Sequence, residues 1–214
     1  MAVTLSKGQG VSLKKLSHDL SQVTIGLGWD VKAPASGGFF GSLFGSKEAE
    51  YDLDVVAFLC DANGKVRDLG VGPDGKVTLI NSDVIFFNNQ KHRSGCIWLT
   101  GDNRTGAGDG DDEQIIVRLN DLPNHYAKVV FVVQIYQGIQ NKQSFGQVDN
   151  AFIRAEDQKG HEMVRFSLTG GAGYSDCRSL LFAELVRESG GWQFKAVGQP
   201  SGSDNFLEWL KQYV

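Results

Sequence analysis

The sequence predicts an all-β fold, a two-sheet β-sandwich with a short C-terminal helix, and three observations carry that reading. Apolar and polar residues alternate with period two along most of the chain. Hairpin-type dipeptides separate the alternating runs at Asn63-Gly64, Asp74-Gly75, Lys159-Gly160 and Gly190-Gly191. Of 214 residues 41% are apolar, with 27 glycines and only 4 prolines. That is enough for one large domain with its own core and no disulfide staples. Many short strands with regular punctuation favour a sandwich over βαβ units.

Val23, Ile25, Leu27 and Trp29 alternate with Thr24, Gly26, Gly28 and Asp30, as in a strand with one buried face. From Asp52 to Cys60, Leu53, Val55, Ala57 and Leu59 fall on one face, and Asp52, Asp54, Val56 and Phe58 on the other. Further strands are expected at 77–80, 84–87, 96–100, 114–119, 128–136, 151–156, 163–168, 180–187 and 192–197. Lys128 to Tyr136 is apolar almost throughout and reads as a central strand covered on both sides. The sandwich domain is expected to span 1–200. Over 201–214, Ser203 can cap a helix whose Phe206, Leu207, Leu210 and Val214 form one apolar stripe for docking on a sheet. Residues 33–49 break the pattern, with Phe39, Phe40, Leu43 and Phe44 set among glycines and serines. They read either as a loop folded back over the sandwich or as an apolar tip for a membrane or protein partner.

Composition excludes several functions. The net charge is −4 and the pI about 5.6, without a basic cluster, so nucleic acid is not an expected partner. The N-terminal residues lack the apolar centre of a signal peptide, and the longest apolar run, Val55 to Cys60, is far too short to span a bilayer. Cys60, Cys96 and Cys177 form no Cys-x-x-Cys pair and read as reduced thiols, and the four histidines show no zinc-ligand spacing. A soluble, cytoplasmic protein is expected.

The strongest functional signal is Asp102 to Glu113, twelve residues with five carboxylates and one arginine. Outside this segment acidic and basic residues balance at 20 each. Such crowding is repulsive unless solvent or a cation screens it. Glycines at 106, 108 and 110 let carboxylates and carbonyls turn inward, and converging oxygens suit a hard cation. Turn residues of this composition also occur in plain solvated loops. The EF-hand pattern fails, because Arg104 and Gly106 stand at positions three and five and Ala107 at the required glycine. Other parts of the chain must therefore complete any ion shell. A long glycine-rich loop favours calcium over magnesium, which demands a compact octahedral shell.

The runs Gly26-Leu27-Gly28-Trp29-Asp30, Tyr51-Asp52-Leu53-Asp54, GDNRTGAGDGDDE at 101–113 and Asn150-Ala151-Phe152-Ile153-Arg154 together resemble the bacterial tellurium-resistance TerD family. The likeness runs from Ser6 to about Gly198, and the GGFFGSLFG insert looks most like the TerZ branch. The resemblance implies a β-sandwich that binds calcium, with no established enzymatic reaction. It also implies a role in resistance to tellurite and other stresses, within a protein assembly near the membrane. The implied ligands are Asp30, Asp52, Asp54 and residues of the 102–113 loop. Within the loop Asp102, Asp109, Asp111, Asp112 and Glu113 supply charge. Asn103 or a glycine carbonyl supplies neutral oxygen, and Asn88 is an outside candidate.

Strand spacing agrees with that placement. Asp52 and Asp54 project to one side of their strand and Asp30 ends its own, so acidic strand ends and loop can meet at one rim of the sandwich. That rim carries more charge than one divalent ion cancels, which points to two calcium ions. The leading expectation is a calcium-dependent interaction module, cytoplasmic or peripheral at the inner face of the membrane. Calcium-bridged membrane recruitment through Phe39, Phe40 and Phe44 is an alternative without a basic patch to support it. A metal-dependent hydrolase or tellurite reductase is the third reading, but no Ser-His-Asp pattern, phosphate loop or vicinal thiols are present.

Overall fold

Two six-stranded sheets face each other in the computed structural model, which describes residues 2–13, 18–31, 51–100, 111–168 and 173–214. Sheet A has the order β1 (Val3–Leu5), β10 (Glu162–Ser167), β9 (Val148–Glu156), β3 (Val23–Val31), β7 (Glu113–Val117) and β6 (Ile97–Thr100). Sheet B runs β2 (Gly10–Ser12), β12 (Gly191–Ser201), β11 (Ser179–Glu188), β8 (Lys128–Ile135), β4 (Leu53–Cys60) and β5 (Val84–Ile85). All pairings are antiparallel except β1 on β10.

The alternation read from the sequence decides what each face meets. Val23, Ile25, Leu27 and Trp29 of β3 point inward to Leu53, Val55, Ala57 and Leu59 of β4 in one continuous core between the sheets. β8 lies between β4 and β11, with Val129, Phe131, Val133 and Ile135 in that core. Its other face, Val130 and Val132, belongs to a second cluster with Val56, Phe58, Leu181, Phe206, Trp209 and Leu210. The C-terminal segment thus covers the outer face of sheet B, which is why β8 is apolar on both sides.

Two sequence expectations differ from the structure, and two short strands were not expected. The stretch 77–80 is not a strand: only a single bridge joins Val71 to Val77, and Leu79 has φ 61°, which takes the chain out of the extended region. The C-terminal helix α1 is only Leu207–Leu210. Ser203 Oγ accepts from the Asn205 N–H and Asn205 Oδ1 from the Leu207 N–H, a pair of side-chain turns that delays the helix. Its buried face is Phe206, Trp209 and Leu210, while Leu207 and Val214 of the expected stripe are exposed. Strands β1 and β2, of three residues each, are too short to show a period.

Candidate functional site

The strand registers gather the acidic strand ends. In sheet A, Leu27 of β3 lies opposite Glu113 at the start of β7, and Asp30 opposite Asp149 at the start of β9. In sheet B the start of β4 pairs with the end of β8, Leu53 opposite Ile135. The two ends adjoin, because Glu113 Oε2 accepts the Val55 N–H at 2.5 Å. The connections from β3 to β4 and from β6 to β7 therefore both depart at this end, the second carrying the acidic stretch 101–110. Asp102, Asn103, Asp109 and the Phe39–Phe44 segment lie outside the described residues.

Each described carboxylate has a local reason for its position. Asp112 continues the β3–β7 ladder, its N–H donating to the Leu27 carbonyl at 2.7 Å. Its Oδ2 accepts the Trp29 N–H at 3.0 Å, beside the irregularity in the β3–β9 register. Glu113 satisfies a β4 amide directed away from β8, where the two-residue β5 does not reach. Asp30 is exposed and accepts the Asn150 side-chain amide at 2.6 Å. Asp54 shares its face with Val56 and Phe58 and accepts from Gln134 Nε2 at 3.2 Å. Asp52 is partly buried, and its backbone carbonyl takes the Tyr136 N–H at 2.8 Å.

Asp111 faces a different way. Its carboxylate meets the Arg154 guanidinium, with Nε on Oδ1 at 2.7 Å and Nη2 on Oδ2 at 3.2 Å. Burial disfavours the arginine cation, but the Asp111 hydrogen bonds and charge outweigh it and hold its pKa above the usual value. Glu156 and Glu162 also reach Arg154, at 2.9 and 3.2 Å. Burial raises the Glu156 carboxyl, whereas hydrogen bonds from Arg165 hold Glu162 low.

The donors at this end are oxygens, the chemistry a calcium ion takes. Among the described residues, however, no three His, Cys, Asp or Glu side chains converge on a point that could hold a metal. A complete shell would thus draw on 101–110. Trp29 Nε1 is buried here with no hydrogen-bond partner among the described residues; as a donor it suits an oxygen acceptor and not a cation.

Sequence reasoning missed two features. Arg154 is the counter-charge beside the acidic loop, and its signal was its place between Phe152 and Glu156 on an outward-facing parity. The other is a buried cluster at the opposite end, where Asp83 accepts from the Tyr126 hydroxyl at 2.7 Å and lies 3.2 Å from His92 Nε2. Burial would raise Asp83, but bonds from His92, Tyr126 and the Asp68 N–H hold its carboxyl below the usual range. Residues scattered over three connections gave no spacing to read.

A TerD domain description matches residues 1–213. The chain is 61% identical over 214 residues to tellurium resistance protein TerX of Serratia marcescens, covering 100% of both. It is 39% identical over 215 residues to stress response protein SCP2 of Bacillus subtilis (strain 168), again covering 100% of both. Identity to tellurium resistance protein TerZ of Serratia marcescens is 39% over 197 residues, covering 92% of this chain and 89% of that one. Overall identity is thus higher to TerX than to TerZ, the branch that the insert resembles. The crystal structure of a homologue of telluride resistance protein (TerD) from Streptomyces coelicolor A3(2) has the same fold. Its TM-score is 0.62 at 21% identity, over 91% of this chain and 98% of that one. The chain belongs to the TerD family.

Proposed function

We propose that this protein is a calcium-binding, non-enzymatic interaction module of a bacterial tellurite and stress-resistance assembly. The observation that carries this reading is the collection of oxygen donors from the ends of β3, β4, β7 and β9 at one end of the sandwich, where the acidic stretch 101–110 joins. Asp30, Asp52, Asp54, Asp112 and Glu113 with Asp102, Asn103 and Asp109 are the residues that would hold calcium there, as one or two ions. Bound calcium would neutralise this end and order it, and other proteins of the assembly would read the ordered surface. The relatives named for tellurium resistance and stress response support the setting.

Two observations support a non-enzymatic role. Burial pushes the Cys60 and Cys177 thiols up to about 12, so neither supplies a thiolate for oxyanion reduction near neutral pH. The Asp83–His92–Tyr126 cluster is buried and its hydrogen bonds are internal. No helix among the described residues is long and apolar enough to cross a membrane.

Thermal melting with calcium and with chelator tests the reading. At calcium a hundredfold above the dissociation constant, linkage adds about 2.7 kcal/mol, a rise of roughly 5–10 °C for a domain of this size. Identical melts would remove calcium from the account.

A further inference from the structure

We propose that Asp111 is the anchor of the acidic loop, held on sheet A by Arg154, and not a ligand of the ion. For its consequence on binding this rests on the calcium reading, whereas the anchor itself is a property of the ion-free protein.

The register places Gly26 between two donors: it lies opposite Arg154 of β9 on one side and Gln114 of β7 on the other. The Asp111 carboxylate sits directly over this glycine. A Cβ at position 26 would fall 2.0 Å from Asp111 Oδ2, so the carboxylate fills room that only glycine leaves. From there Oδ1 takes Arg154 Nε at 2.7 Å, and Oδ2 takes Arg154 Nη2 and Gln114 Nε2, each at 3.2 Å. The side chain is closed to solvent. A forked guanidinium pair of this kind fixes direction as well as distance. Glu156 and Glu162 hold the guanidinium from its other side, and Arg165 in turn holds Glu162 at 2.7 Å.

A calcium ligand needs lone pairs open to the ion and no cation beside it. Asp111 has three donors on two oxygens, and an ion at either oxygen would meet the guanidinium charge. Its neighbours behave differently, Asp112 and Glu113 turning to β3 and β4. Asp111 therefore ties down the C-terminal end of the acidic stretch before any ion arrives. Gly26 and Arg154, to which an ion shell assigns no role, are the other two parts of this tie.

The test compares wild type with Asp111→Asn, Arg154→Gln, the double variant and Arg154→Lys, first in chelator and then in calcium titrations. An anchor predicts that each of the first two lowers the chelator melting midpoint by about 5–10 °C. The double variant should then melt no lower than the worse single, and Arg154→Lys should recover part of the loss. In titrations Asp111→Asn should keep the wild-type ion count, and Arg154→Gln should bind calcium no more tightly than wild type. The proposal is overturned if Asp111→Asn loses an ion while melting normally in chelator. It is equally overturned if Arg154→Gln binds calcium tenfold more tightly, since the arginine would then be a competitor for a ligand. If wild type binds no calcium, the proposed function fails and the chelator melts alone still decide the anchor.

Discussion

Glu113 at the start of β7 accepts the Val55 amide of β4, so one side chain stitches sheet A to sheet B at the acidic end. Glu113 is 3% exposed, and removing its carboxylate leaves a buried N–H unsatisfied. Glu113→Ala should cost about 1–3 kcal/mol in denaturant midpoint and speed exchange of the Val55 amide. Glu113→Gln, which keeps an acceptor oxygen, should cost less. Equal losses in the two variants would mean that packing, not the hydrogen bond, matters here.

Asp157 in the β9–β10 connection accepts the Lys159 and His161 N–H groups, and its Oδ2 lies 3.1 and 3.2 Å from Nδ1 of His18 and His161. Burial opposes its charge, but the backbone and histidine hydrogen bonds prevail and hold its carboxyl well below the usual range. A depressed folded-state pKa contributes stability that is complete above the unfolded value, about 4, and is lost as pH falls toward the folded one. Asp157→Asn should lower stability at neutral pH and flatten its decline below about pH 4. Denaturant midpoints taken between pH 7 and pH 2 measure both, and parallel profiles for the two proteins would refute the assignment.

Tyr126 helps keep Asp83, a residue 1% exposed, ionised. Tyr126→Phe removes that donor and should cost about 1–3 kcal/mol. Because the folded-state carboxyl then rises toward its ordinary value, acid destabilisation should begin at higher pH. Carbon NMR titration of the Asp83 carboxyl reads the shift directly, and an unmoved titration would show that His92 and the backbone suffice.

Trp209 is 2% exposed, and its indole N–H donates to Ser179 Oγ at 2.9 Å. Trp209→Ala should cost about 3–5 kcal/mol, whereas Leu207→Ala, at a position 39% exposed, should stay within about 0.5 kcal/mol. Thermal melts separate the two. A larger loss at Leu207 would restore the stripe read from the sequence.

These contrasts mark what the sequence could express. The sandwich was legible because one-sided burial writes itself as alternation along β3 and two-sided burial as the apolar run of β8. The nearness of Asp30, Asp52, Asp112 and Glu113 to strand ends was legible because acidic residues interrupt the apolar alternation there, whereas 102–110 lie outside the described residues. The Asp111–Arg154 pair was not, because residues 43 apart become neighbours only when Gly26 is set between β7 and β9. The helix boundary failed for a local reason: Ser203 and Asn205 spend their hydrogen bonds on turns, and the apolar spacing around them does not record that. Leu79 is similar, since strand-like composition at 77–80 says nothing of a left-handed residue at its end.

The most direct test of the account is calorimetric titration of calcium into protein stripped with chelator, which reports affinity and stoichiometry together. Saturable binding of one or two ions, weakened at least tenfold when Asp102, Asp109, Asp112 and Glu113 are neutralised together, is the predicted result. No saturable heat, together with no calcium retained in equilibrium dialysis at millimolar concentration, would contradict it.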